Sequence, residues 1–445
     1  MADAGPEREG VAFSEAVRVW ARVAALSFGG PAGQIAVMHR ILVEEKGWIG
    51  EKRFLHALNF CMLLPGPEAH QLTIYLGWLL HGARGGLVAG LLFVLPGFLA
   101  IMGLSLVYVA FGQTPLVAGL LYGIKAAVLA IVLQALIRIG SRALMGIAAR
   151  VIAVSAFAAL FLFGAPFPAI VLGAGLIGAL GARAGWGAFA GTADGSEDGT
   201  REVARGRAGG AAHLMLCAAV AFAWLGPVAI LVAALGPEDV FARLAVFFSQ
   251  MAVLTFGGAY AVLAWVAQEA VQNQGWLSAG EMLDGLGMAE TTPGPLIQVV
   301  QFVGFLAAFR EAGGMNPYLA GVLGAVLVTW VTFTPSFLWI FLGAPWIERL
   351  RGNAVLAGAL AAITAAVVGV IANLALWFAL HVVFSELRPW TGFGMRIEVP
   401  IPSSLDPAAL ILTGLAIVAV FRLRLGMGAV LGLSALLGLG WTLAV

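Results

Sequence analysis

Two short interruptions carry most of the polar chemistry in the first part of an oily chain. One is SFGGPAGQ (Ser27–Gln34) and the other LPGPEAHQ (Leu64–Gln71). Gly29 and Gly30 allow positive φ and close backbone approach, and Pro31 suits the first turn of a new helix, where its missing N–H is no loss. Pro65 biases Leu64 away from the helical region, and Pro67 can open another helix. A helix that begins within a membrane segment exposes unpaired N–H groups and the positive end of its dipole. Such an end takes an anion. The candidate anion-binding residues are therefore Ser27, Phe28, Gly29, Gly30, Pro31, Gln34, Pro65, Gly66, Pro67, His70 and Gln71.

The same chemistry recurs downstream. A shift of 228 residues carries Phe28–Gly30 onto Phe256–Gly258, Gly47-Trp48 onto Gly275-Trp276, and Pro65-Gly66-Pro67 onto Pro293-Gly294-Pro295. Three motifs keep one register without a gap. Gln71 and Gly77 match Gln298 and Gly304 after a one-residue slip, and Pro96 matches Pro335 at a shift of 239. The second set of candidates is Thr255, Phe256, Gly257, Gly258, Thr292, Pro293, Gly294, Pro295 and Gln298. Paired breaks at corresponding positions of two halves point to a shared site near the midplane.

Ionisable groups inside apolar segments are costly, which makes them functional candidates. Arg22 and Lys125 are basic, and their partners in the second half, Gln250 and Thr364, are neutral. Fixed positive charge beside positive helix ends favours an anionic substrate. Glu68, His70 and Glu290 are the proton-coupling candidates, with His70 also able to donate to an oxyanion. His56 and Asp284 occupy matching positions and read as surface groups, because deeper placement is expensive.

These residues must be positioned by membrane helices. The 445 residues are 61% hydrophobic and 11% charged, far below the ~25% charged of soluble domains. Apolar runs of about 20 residues recur along most of the chain. The expected fold is an all-α polytopic membrane protein of about 13 segments, made of two related repeats of inverted topology with Gly-Gly and Pro-Gly-Pro broken helices. Residues 1–183 form the first repeat, 184–210 a Gly- and charge-rich cytoplasmic linker, 211–236 a connecting helix and 237–445 the second repeat. Whether the broken segments cross the bilayer or turn back is left open. Arginines near Arg138, Arg201, Arg349 and Arg422 place the N-terminus inside and the C-terminus outside. In that count the loop with Arg40, Lys46, Lys52 and Arg53 falls outside and does not fit.

Several function classes are excluded or disfavoured. The net charge of +1 suggests no nucleic-acid partner. Cys61 and Cys217 lie in apolar segments, and the six histidines lack metal-ligand spacing, so neither a metal nor a cofactor is expected. There is no HExxH, GxSxG or CxxC motif and no phosphate-binding GxxxxGK[ST] loop, so the chain does not read as an enzyme or an ATP-driven pump.

The stretches SFGGPAGQIAVMHR, LLPGPEAHQLTIYLGWLLHG, FVLPGF, TFGGAYAVL and TTPGPLIQ resemble the long-chain chromate ion transporters, two-domain proteins of the inner membrane. The resemblance covers nearly the whole chain apart from the linker and the far C-terminus. It implies export of chromate, a tetrahedral dianion and sulfate analogue, driven by membrane potential or a proton gradient. It carries the family's motif roles onto Phe28–Pro31, Pro65–Pro67, Gln71 and their second-half matches. Gln34 and Met62 stand where histidine and glutamine are common. A sulfate or other oxyanion carrier and an anion channel are the alternatives, the bilayer is the surrounding partner, and a homodimer is a candidate assembly.

Overall fold

The computed structural model describes residues 11–186, 211–256, 258–343 and 353–444. Residues 187–210 of the expected linker, together with Gly257, Arg349 and Arg351, lie outside the described residues. The first half begins with α1 (Phe13–Leu26), α2 (Gly30–His39), α3 (Glu51–Cys61) and α4 (Glu68–Phe111). It continues with α5 (Pro115–Ala143), α6 (Ile147–Phe163) and α7 (Phe167–Arg183), and α8 (Ala211–Leu235) leads onward. The second half opens with α9 (Val240–Leu254), α10 (Ala259–Ala267), α11 (Ala279–Thr291) and α12 (Val299–Arg310). It closes with α13 (Pro317–Gly343), α14 (Ala354–Val383), α15 (Pro407–Phe421) and α16 (Met427–Ala444). Helices α2 and α10 each run on into a single π turn, Arg40–Glu45 and Gln268–Asn273. Such turns are rare, and these two keep the register of the duplicated motifs.

The ends of the interrupted segments show that they turn back. Helix α1 has 14 residues and α2 has 10, so at 1.5 Å per residue neither arm reaches the ~30 Å of a hydrocarbon core. Their outer ends meet: Lys46 Nζ lies 2.8 Å from Glu15 Oε1, and Arg22 lies 2.7 Å from Glu45. Helix α3 starts beside them, with Glu51 2.6 Å from His39. The chain returns to the same end after α3, where His81 Nε2 lies 2.7 Å from Val11 O. There His81 (φ −133°) and Gly82 (φ 63°) leave the helical region, so α4 is two arms, 68–80 and 83–111. The arms approach closely because Gly77 and Gly85 present no side chains to each other.

The second half is closed in the same way. Arg243 and Gln274 stand at the positions that match Glu15 and Lys46 in the motif register. They too are paired, Arg243 donating to Gln274 at 2.9 Å. Arg310 at the end of α12 donates to Trp276 O (2.7 Å) and pairs with Glu281 near the start of α11. The segments near 13–39, 52–81, 243–267 and 281–308 are thus helical hairpins whose tips are the glycine- and proline-rich breaks. Among the described residues, six helices are long and apolar enough to cross a membrane by length and composition. Apolar side chains such as Leu172, Phe222 and Leu436 point away from the protein, as lipid-facing surfaces do.

One element was not foreseen. Strands β1 (Leu387–Gly392) and β2 (Met395–Pro400) form an antiparallel hairpin between α14 and α15. Its two-residue turn uses Phe393 (φ 53°) and Gly394 (φ 76°), the double positive φ that matches strand twist.

Candidate functional site

Each interruption is held by the opposite half. The Gly66 N–H donates to Thr255 O at 2.9 Å, and the Gly294 N–H donates to Ser27 O at 2.8 Å. The motif register converts one bond into the other. The Ser27 and Thr255 hydroxyls both turn back onto their own helices, to Val23 O and Met251 O, each at 2.6 Å. The proline-bearing helices cross over likewise. A Cβ at Gly97, after Pro96, would lie 2.8 Å from Pro293 O. Ser336, after Pro335, faces Gly66. The hairpin tips therefore meet in two crossed pairs, each joined by a backbone bond between the halves.

This joint modifies the expected anion site. The amides of Gly66 and Gly294 are spent on holding the halves together. The helix beginning at Glu68 makes its first backbone bond at Gln71 (N–H to Pro67 O, 3.0 Å), leaving the preceding amides at its open end. The side-chain amides hold loops: Gln34 donates to Gly294 O and Gln71 to Pro65 O, both at 2.6 Å. Gln298 donates to Gln301 Oε1 at 2.7 Å. Gly29 (φ 84°), Gly30 (φ 68°), Gly66 (φ 125°), Gly258 (φ 93°) and Gly294 (φ 104°) all take positive φ. Pro31 sits in the first turn of α2, whereas Pro295 leads into a 3₁₀ turn before α12. Phe28 is exposed, Phe256 is half-buried, and Thr292 Oγ1 bonds Ala289 O.

The ionisable residues divide into three groups. Glu68 is half-buried, and a Cβ at Gly258 would lie 3.7 and 3.8 Å from its carboxylate oxygens. Glu290 is buried, accepts the Tyr260 hydroxyl at 2.7 Å, and keeps Oε2 without a partner. These two carboxylates, one from each half, border the first turn of α10. Their positional matches, Leu296 and Met62, are apolar, so the acidic chemistry lies on one side of the joint only.

His70 is fully buried in a phenyl cage, its ring 5.1 Å from Phe333, 5.3 Å from Phe337 and 6.3 Å from Phe93. Among the described residues neither ring nitrogen makes a hydrogen bond of good geometry, the Gly90 backbone being its polar neighbour.

The basic candidates are not free charges. Arg22 is half-exposed beside Glu45 at the outer end of the first hairpin. Lys125 lies 3.3 Å from Asp284, which also accepts the Tyr108 hydroxyl at 3.1 Å. Asp284, near the start of α11, is buried within the protein (4% exposed). Burial is tolerable because Lys125, brought from α5, balances its charge. His56 is half-buried. Sequence reasoning missed Tyr260, Ser336 and Thr332. Their signals were adjacency to the second Gly-Gly break and to Pro335.

The chromate transporter family model matches this chain twice, over residues 14–179 and 242–439. The chromate transport protein of Pseudomonas aeruginosa is 36% identical over 384 residues, covering 84% of this chain and 82% of that protein. The chromate transport protein of Cupriavidus metallidurans is 28% identical over 366 residues, 80% of each chain. A probable chromate transport protein of Synechococcus elongatus is 27% identical over 355 residues, covering 79% and 81%. No solved structure gives a significant match. With the family model spanning both halves and the Pseudomonas protein aligned over most of its length, the chain belongs to the chromate transporter family.

Proposed function

We propose that this protein exports chromate from the cytoplasm as a secondary transporter, through a site where the two halves join. The crossed pair of backbone bonds, Gly66 to Thr255 and Gly294 to Ser27, carries this reading. It ties the breaks of the two halves together in crossed pairs, which is the arrangement of carriers built from inverted repeats. The second arm of α4, α5, α6, α7 and α8 separate the two hairpin sets. Counting all five as passes, the shorter apolar helices α6 and α7 included, gives an odd number, and on that count we assign the second set to the opposite face.

Orientation follows from charge. The end where Glu15 meets Lys46 also collects Arg18, Arg22, Arg40, Lys52, Arg53 and Arg84. Cytoplasmic segments are rich in Lys and Arg, so we assign that end to the cytoplasm. The hairpins remove the misfit of the loop with Arg40 and Lys46, because residues 40–53 return to the side from which the chain entered.

A dianion leaving an inside-negative cell gains about 2.3 kcal/mol per charge per 100 mV, or ~4.6 kcal/mol for two charges. At about 1.4 kcal/mol per tenfold, this sustains a gradient of roughly 10³ without ATP. The one-sided carboxylates Glu68 and Glu290 favour a second reading, in which protons accompany an oxyanion such as sulfate. Purified protein in liposomes, given chromate and an imposed potential with and without a pH gradient, tests both. Potential-driven chromate flux is expected. Its absence, with sulfate-competed and acid-dependent uptake in its place, would favour the second reading.

A further inference from the structure

We propose that Ser336, with Thr332 one turn before it, is a substrate-facing hydrogen-bond donor that α13 of the second half supplies to the break at Gly66. This inference rests on the oxyanion-transport reading of the site. In lipid-embedded helices a hydroxyl ordinarily satisfies itself on the carbonyl four residues earlier. Among the described residues, Ser27, Thr73, Ser105, Thr255, Thr329, Thr364 and Thr442 all do so. Thr329 lies in α13 itself. Thr332 and Ser336, each 1% exposed, do not, and neither does Thr413 in α15; all three hydroxyl oxygens are without a partner, and of the three Ser336 is the one that stands beside a break. A buried hydroxyl left unpaired is costly, so a polar occupant that completes it is favoured.

Ser336 lies beside Gly66. A Cβ added there would lie 3.4 Å from Ser336 Oγ and 2.7 Å from Gln71 Nε2. Gln71 is fully buried, and its Oε1 also lacks a partner. Just beyond Gly66 the helix from Glu68 presents its open, positive end. A glycine floor, a positive helix end and an unused hydroxyl donor suit one oxygen of a tetrahedral oxyanion, with the Gln71 carbonyl accepting from water or a proton-bearing oxygen. The related place in the first half offers no such donor. In the register that pairs Pro96 with Pro335, Ser336 corresponds to Gly97 and Thr332 to Phe93. The donor belongs to one node only, so the two halves contribute differently to recognition.

The test uses full-length protein in proteoliposomes, with initial chromate flux measured against concentration. Chromate binding to the same detergent-purified variants is measured by equilibrium dialysis. Ser336→Ala is expected to raise the half-saturating concentration about five- to tenfold, the loss of one hydrogen bond, with maximal rate within about twofold. Ser336→Thr, which keeps the hydroxyl, restores it. Thr332→Ala moves it in the same direction and carries the test if Ser336→Ala misfolds. Ser105→Ala, whose hydroxyl is already bonded to Ile101 O, leaves it unchanged. Wild-type half-saturation in both Ser336→Ala and Thr332→Ala overturns the proposal, as does equal impairment in Ser336→Thr and Ser336→Ala. If the wild type binds oxyanion but moves none, transport fails as a reading, while the variant-to-wild-type binding ratio still decides this inference. A wild type that binds no oxyanion overturns both.

Discussion

Removing Lys125 should cost more stability than removing Lys125 and Asp284 together. Lys125 Nζ and Asp284 Oδ1 are 3.3 Å apart, with side-chain exposures of 28% and 5%. At an effective dielectric of about 20, opposite charges at that distance attract by ~5 kcal/mol. Partial exposure of Lys125 screens this, and desolvation of Asp284 offsets much of the rest. The asymmetry survives: Lys125→Met strands a buried carboxylate whose remaining hydrogen-bond partner among the described residues is the Tyr108 hydroxyl, at about 3 kcal/mol or more. Lys125→Met combined with Asp284→Leu replaces both charges by apolar groups and should lie within about 1–2 kcal/mol of wild type. The assay is a double-mutant cycle on detergent-purified protein, read by thermal and denaturant unfolding, with chromate flux measured alongside. A coupling energy of about 2 kcal/mol or more is expected. Additive losses, with no recovery in the double variant, would refute the claim that Lys125 chiefly serves Asp284. Near-normal flux in the double variant would show that Lys125 is dispensable as a contact to the anion.

Arg22→Ala removes only a half-exposed ion pair with Glu45, worth about 0–1 kcal/mol, and should leave half-saturation for chromate within about twofold. Gly66→Ala must force φ near 125° on a residue with a Cβ and crowd Gln71 Nε2 at 2.7 Å. It should lower flux more than tenfold, whereas Gly50→Ala, at φ −69° in open space, should not. Glu68→Gln keeps the shape at Gly258 but cannot exchange a proton, so flux in that variant should lose its response to an imposed pH gradient; a retained response would remove Glu68 from coupling. A cysteine at Gly50 should be shielded from an impermeant thiol reagent added to intact cells, and one at Gly313 should react. The opposite pattern would reverse the orientation, and the native Cys61 and Cys217 are buried.

The sequence alone determined the environment, the membrane helices, the family resemblance and the duplicated breaks, because hydropathy, glycine and proline act locally and leave their mark at fixed spacing. It also indicated that the breaks belong together, since the FGG and PGP motifs keep one register. It could not decide that the broken segments turn back. That depends on whether Glu15 meets Lys46 and Arg243 meets Gln274, contacts between distant turns that no local pattern fixes. Nor could it place the charges. Lys125 looked like a free cation because Asp284, far off in the other half of the sequence, enters its surroundings only through the packing of α11 on α5. The polar hydroxyls of Thr332 and Ser336 look like any others in a membrane helix until their neighbours are known. Only the tertiary structure decided which groups are satisfied and which lack a partner. Hydrogen-bond and charge satisfaction are properties of pairs, and in this chain several of them, Gly66 with Thr255, Gly294 with Ser27 and Lys125 with Asp284, join opposite halves.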